Sequence, residues 1–290
     1  MEPIAERGYT HWEGTLGTGR RPWRVIAGQA VRLAWKRRSF KSLFFFSFLP
    51  AVVFSGGIYV SERLGDFQEM LKGADKFLTI NPDYFQAYYG SSFLFFMMLM
   101  IMVGGGAGLI ADDLRHNALP LYFSRPLRQR DYIGGKGAAL AFFLLLLTLA
   151  PGIVFLLLKL IFSGSAKILS DFPWLPFSFL AWSVFVSAFF SLFTLLLSSL
   201  GRNRRFASIL ILAAYFLSDV FFGIFYAIFR EPAFCLVSIQ RNLRQASAAF
   251  LGAKPPMEVP GIYSILILAA IMAAAVLVLR RKIRGTEVIR

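Results

Sequence analysis

The sequence predicts an all-α integral membrane protein: six transmembrane helices preceded by an amphipathic interfacial helix, with both termini cytoplasmic. Three observations predict it. Of 290 residues, 57% are hydrophobic and only 16% charged, whereas soluble domains run nearer half apolar and a quarter charged. The charges are also segregated. Between Lys41 and Glu62, Asp83 and Asp112, Lys136 and Lys159, Asp171 and Arg202, and Glu258 and Arg280 lie uncharged stretches of 20, 28, 22, 30 and 21 residues. A helix rising 1.5 Å per residue crosses a hydrocarbon core of about 30 Å in roughly 20 residues, so each stretch is long enough to span. Finally, Phe93 to Val103 and Leu144 to Leu158 are apolar on every side, whereas a β-barrel needs roughly ten-residue segments that alternate inward-polar with outward-apolar.

Residues 1–21 form a polar, glycine-rich tail without the apolar core of a cleavable signal, and are expected to stay in the cytoplasm. Over 22–41, Trp23, Ile26, Ala27, Ala30, Leu33 and Ala34 fall at helical spacing while Arg24, Arg32 and Lys36 lie on another side. That pattern predicts an amphipathic helix on the inner leaflet. Arg37, Arg38 and Lys41 read alternatively as a stop-transfer anchor. Spans follow at about 42–61, 90–111, 137–162, 176–200, 206–229 and 260–279 within a transmembrane domain of 42–279, and a basic tail closes the chain at 280–290. The fifth span is interrupted only by Asp219. Before the sixth, Phe234, Ile239, Leu243, Ala246 and Phe250 recur at helical spacing against Arg241, Arg244 and Gln245. This predicts an outer-leaflet interfacial or re-entrant helix that Pro255-Pro256 ends.

The net charge of +15 would ordinarily point to nucleic acid, but 22 of the 31 Lys and Arg fall before the first span, in the second and fourth connections, and in the tail. By the positive-inside rule that face is cytoplasmic. The excess is topological, so the expected partner is the bilayer of the cell (inner) membrane and not nucleic acid. The two outer connections of any length, near Glu62 to Asp83 and Arg230 to Pro260, are too short for an independent core.

Signals for chemistry are few. Cys235 stands alone, and His11 and His116 are separated by a whole span, so no disulfide, metal pair or nucleophile–base arrangement is expected. Gly134-Gly135-Lys136-Gly137 lacks the upstream glycine and the Ser or Thr of a phosphate-binding loop. No enzyme activity, cofactor or metal is therefore expected in this chain. Gly104, Gly105, Gly106 and Gly108 read as close helix packing or a hinge. Asp112 and Asp113 point about 100° apart on a helix and share no site; they read as a charge pair at a helix start. Lys159 is expected to snorkel toward headgroups. Asp219, in the outer half of its span, costs about 2.5–3.5 kcal/mol unless paired or hydrated, so it should face protein or a cavity. Lys159 is the expected partner, with water or Ser218 as alternatives.

The second connection, Ala111 to Lys136, mixes arginines with Leu119, Leu121, Tyr122 and Phe123. A solvated loop does not need these side chains, whereas a protein-docking surface uses them. With its acidic Asp112-Asp113 turn, Leu119, Ser124, Pro126, Arg128 or Arg130, and Gly135-Lys136, the segment resembles the membrane (permease) subunit of type-2 ATP-binding-cassette exporters. The layout of basic amphipathic segment, six spans and cytoplasmic termini is similar too. The resemblance implies a coupling helix over Asp113 through Phe123 that docks on a separate ATPase subunit, with Asp112, Asp113, Leu114, Arg115, Leu119, Tyr122, Phe123 and Arg125 as the docking residues. It further implies ATP and magnesium on that partner, and a second permease copy or a paralogue beside this one. Where the family has Gly-Thr and an acid, this chain has Asn117-Ala118 and Pro120. The alternative from another class is an ion-coupled secondary transporter or channel using Asp219.

Overall fold

The computed structural model describes residues 21–63, 80–123, 127–165 and 167–283. Among them there is no strand, and six helices are long and apolar enough to cross a membrane: Arg38–Glu62, Pro82–Arg115, Gln129–Ser163, Leu175–Leu200, Arg204–Phe229 and Gly261–Lys282. The chain is a multi-pass membrane protein.

Helix α1 (Pro22–Trp35) starts on a proline, whose fixed φ suits a first helical turn. It ends before Arg37, whose extended backbone (φ −81°, ψ 120°) turns the chain into α2 (Arg38–Phe46). With α3 (Leu49–Arg63) this makes the first span. The helix expected at the interface is therefore shorter than its basic flank, and Arg38 and Lys41 open the span itself. Nor does α1 stand apart from the bundle. It packs along the third span, where a Cβ on Gly135 would lie 2.8 Å from the Trp23 carbonyl oxygen. Trp35 stacks on Phe143 with ring centroids 6.0 Å apart.

The second span begins at Pro82 rather than near residue 90. Asn81 caps α4 (Pro82–Tyr89) by accepting the Tyr84 amide at 3.0 Å, and Ser91 caps α5 (Ser92–Gly106). A third piece, α6 (Gly108–Arg115), completes it. After the short α7 (Leu119–Phe123), α8 (Gln129–Ser163) forms the third span. Pro151 lies inside α8 and has no N–H to offer Leu147 O. Tyr88 Oη donates to that carbonyl at 3.2 Å, and Tyr89 Oη donates to Thr148 O at 3.1 Å, so α4 satisfies the proline break.

A short α9 (Lys167–Asp171) leads to α10 (Leu175–Leu200), the centre of the bundle, which packs against α5, α6, α8 and every later helix. Ser183, Ser187, Ser191, Thr194 and Ser198 are buried along one face of α10, and small side chains let membrane helices approach closely. A Cβ on Gly106 would lie 2.6 Å from Thr194 Cγ2, so at Gly106 the glycine run serves as close packing. By contrast α11 (Arg204–Phe229) is peripheral and leaves Phe216, Val220 and Phe221 exposed for lipid.

A 3₁₀ segment, Pro232–Val237, and α12 (Ile239–Leu251) precede α13 (Gly261–Lys282), the last span. Helix α12 ends at Gly252 in the left-handed region (φ 65°), before Pro255-Pro256 is reached. Its expected polar face is partly inside. Gln245 is buried, donating to Met257 O at 3.0 Å and to Val259 O, and accepting the Met257 amide. An amide with donors and an acceptor can satisfy three groups of the irregular chain before α13, which an exposed position would waste.

Candidate functional site at the basic end

Span two breaks where it leaves the bundle. The Ala107 amide reaches back five residues to Met102 O at 3.1 Å, a wide turn. Just beyond it, Ser198 Oγ accepts the Ile110 and Ala111 amides, both at 3.1 Å, and donates to Ala107 O at 2.7 Å. A hydroxyl from α10 thus stands between Ala107 O and Ala111 N, which an unbroken helix would pair directly. One turn earlier, Gly104 O accepts Arg204 Nη2 at 2.9 Å and Arg37 Nη1 at 3.2 Å. With Ser198, three separate parts of the chain are tied to the stretch from Gly104 to Ala111. Gly105 lets the Phe40 ring approach it, to 2.9 Å from an added Cβ.

From this break α6 delivers two carboxylates. Asp112 and Asp113 lie in its last turn, not at a helix start, so the helix dipole does not favour them and neighbouring cations must. Asp113 Oδ2 accepts from Lys136 Nζ and, at 2.6 Å, from Tyr132 Oη. Lys136 Nζ also donates to Leu109 O and sits 4.5 Å from the Tyr132 ring centroid and 5.7 Å from that of Tyr122. The two charged side chains are 18% and 5% exposed. A buried pair is tolerable only when its remaining donors and acceptors are satisfied, which the tyrosine, the carbonyl and the ring faces do here. Burial, then the Asp113 charge, pushes the Tyr122 phenol up from its ordinary range, so it stays a neutral donor.

The stretch from Asp113 through Phe123 is not one helix. Asn117 adopts the left-handed region (φ 49°) after Arg115, and Pro120, which cannot sit inside a continuing helix, occupies the first turn of α7. Tyr122 and Phe123 anchor α7 on Tyr132, with centroids 5.2 and 6.1 Å away. Leu114 and Leu119 are half-buried against the core, Arg115 is exposed, and Leu121 is 74% exposed. Arg125, with Ser124 and Pro126, lies outside the described residues. At the start of α8, Gln129 Nε2 donates to Arg280 O at 2.6 Å and holds the end of α13.

The opposite end corrects the expected charge pairing. Lys159 pairs with Glu62, and Asp219 Oδ1 accepts from Ser238 Oγ at 2.9 Å and Arg241 Nε at 3.3 Å, with the Arg241 guanidinium 3.9 Å from the Phe222 centroid. Lys159 and Asp219 do not meet because α8 packs on α3 while α11 packs on α10 and α12. In that pair Lys159 is 17% exposed and Glu62 16%. Ser218 serves the backbone instead, donating to Tyr215 O and accepting the Ile239 amide.

Of the docking candidates, the structure gathers Asp113, Tyr122 and Phe123 around Tyr132 and Lys136, and turns Asp112 toward Gly108 and Arg204. The partners Tyr132, Ser198 and Arg204 were not singled out from sequence, while Lys136 was read only with Gly135 as the opening of the third span and Arg37 only as an anchoring cation. Lys136 carried a signal, as the cation that opens an uncharged stretch; Ser198 carried none, being one hydroxyl among five on its face. No protein-family model matches the chain, and no curated protein matches it.

Proposed function

We propose that this chain is the transmembrane permease subunit of an ATP-driven exporter, coupling ATP hydrolysis on a separate ATPase subunit to substrate export. The observation that carries the reading is α7. It projects Leu121 outward from the end of the bundle while Tyr122 and Phe123 fasten it to α8 and Asp113–Lys136 fastens α6 to α8. An exposed apolar side chain on a rigidly backed short helix among arginines is what a docking contact requires. In this reading the basic end is cytoplasmic, and two copies of the chain, or a paralogue, work with two ATPase subunits that bind ATP and magnesium. Closure of the ATPases on ATP pushes α7; the Asp113–Lys136 pair passes the movement to spans two and three; the turn at Gly104 passes it to α1 and to spans four and five.

Asp219 speaks against the ion-coupled alternative. A carboxylate already compensated by Arg241 and Ser238 gains little from a transported cation.

The test is purification of the tagged chain from its native membrane in mild detergent. It is expected to bring down a subunit with a Gly-x-x-x-x-Gly-Lys-Ser/Thr loop and magnesium-dependent ATP hydrolysis, and Leu121→Asp is expected to lose both with its melting curve unchanged. Hydrolysis by the chain alone, or an intact chain that recovers no ATPase, overturns the proposal. Orientation is checked by impermeant thiol labelling after Cys235 is replaced: Lys254→Cys is expected to label from outside and Arg205→Cys only after permeabilisation.

A further inference from the structure

We propose that the cleft between α1, α6 and α11 holds the headgroup of an anionic phospholipid, its phosphate on Arg37 and Arg204 and an acyl chain along α1. The cleft has a volume of about 360 Å³. One wall is apolar, with Val25, Ile26, Ala30 and Leu33 from α1; the other carries Arg37 and Arg204 beside Asp112 and the Asp113–Lys136 pair. It adjoins a second opening that shares Asp112 and Arg204 and adds Arg115 and Arg205.

The charge balance asks for an anion. Arg37 and Arg204 converge on the single carbonyl of Gly104, which brings two like charges together around one neutral acceptor. A guanidinium has five N–H donors in a planar fork, and each of these two donates one hydrogen bond to that oxygen. Among the described residues no carboxylate lies within ion-pair reach of Arg37, Arg115, Arg204 or Arg205. Asp113 is taken by Lys136 and Tyr132, which leaves Asp112, facing Arg204 beyond ion-pair distance, as the one remaining carboxylate among the described residues to set against the arginines of the two openings. A phosphate accepts such forks in pairs and would neutralise the convergence.

Depth and polarity choose the kind of phosphate. The cleft lies where span two ends and span five begins, the level at which basic pockets between membrane helices meet headgroups. Val25 and Leu33 are half exposed on its apolar wall. A soluble phosphate would leave that wall wet, whereas a phospholipid covers it and fills the cation site together. The inference rests on the membrane reading alone; the assay contains no ATPase, so its failure and that of the coupling reading remain distinguishable.

The experiment is native mass spectrometry of the full chain in neutral detergent, offered equal phosphatidylglycerol and phosphatidylcholine, with and without excess inorganic phosphate. The wild type is expected to retain the anionic lipid about tenfold over the zwitterionic one, and the Arg37→Gln/Arg204→Gln variant to lose that preference. Because those arginines also hold the Gly104 turn, Gln29→Glu provides a second reading. Gln29 is an exposed cleft residue, and a new negative charge there is expected to lower retention about fivefold without altering the melt. Equal retention of both lipids by the wild type, or undiminished preference in Gln29→Glu, overturns the proposal. Displacement of the lipid by inorganic phosphate reassigns the site to a free phosphate and also overturns it.

Discussion

Two carboxylates, one near each end of the bundle, each pair with a cation just over twenty residues further along the chain, yet the pairs are built differently. Asp113 and Lys136 are nearly enclosed, and a tyrosine hydroxyl, a backbone carbonyl and two ring faces serve the pair. Asp219 and Arg241 are 36% and 34% exposed, with the cation lying open over Phe222. Burial explains the contrast. Removing an ion from water costs several kcal/mol and must be offset by a complete shell, while a half-exposed ion keeps much of its solvation and contributes little net. The enclosed pair belongs where helices must hold register with one another; the open pair belongs where a connection is fastened to its own preceding helix.

The comparison breaks most readily at Asp113. Asp113→Asn or Lys136→Met alone is expected to cost about 3–5 kcal/mol, because each leaves a buried charge or its acceptors orphaned, and the double variant is expected to recover most of the loss. Thermal melts of the three variants in detergent check it, and additive losses would mean the pair is not a unit.

Next in size is Ser198→Ala. It removes the hydroxyl that serves two amides and a carbonyl at the break in span two. A loss of about 1–3 kcal/mol is expected, with faster hydrogen exchange confined to Ile110 and Ala111. Unchanged exchange at those amides would show that the turn closes on itself without α10.

Asp219→Asn is expected to cost less than about 1 kcal/mol in the same melts. A loss as large as that of Asp113→Asn would place this end in a dry environment and erase the contrast. The smallest effect concerns Cys235, which lies in the 3₁₀ segment beside the open pair. Burial pushes its thiol up, and Arg241 partly offsets the rise. A raised thiol holds its proton to higher pH, so native Cys235 should alkylate with a midpoint above the ordinary thiol range, and Arg241→Gln should move the midpoint higher still. A fall on that substitution would exclude Arg241 from its field.

The six spans were legible because each is a local property: an uncharged stretch long enough to cross a bilayer signals itself whatever its neighbours do. Pro82–Arg115 exceeded its expected bounds because Asp83, taken as a boundary charge, sits in the first turn of a helix capped by Asn81. The second connection was legible as more than a solvated loop from its mixture of arginine and aromatic residues. Its division at Asn117 was signalled only by Pro120, and its anchoring on Tyr132 was not signalled at all. Gln245 looked like a solvated residue because its spacing follows Arg241 and Arg244; its inward turn depends on the path of the chain that follows.

By itself the sequence determined the all-helical membrane architecture, the basic segregation of its connections, and which few residues carry charge inside or beside the spans. Tertiary structure alone decided who meets whom: Asp113 with Lys136, Lys159 with Glu62, Asp219 with Arg241, and Ser198 with the broken turn of span two. The physical reason is that hydropathy and charge are summed along one helix. A side-chain pairing depends on which helices are neighbours, on the rotation of each about its own axis, and on its axial shift, and these are settled by packing across the whole bundle.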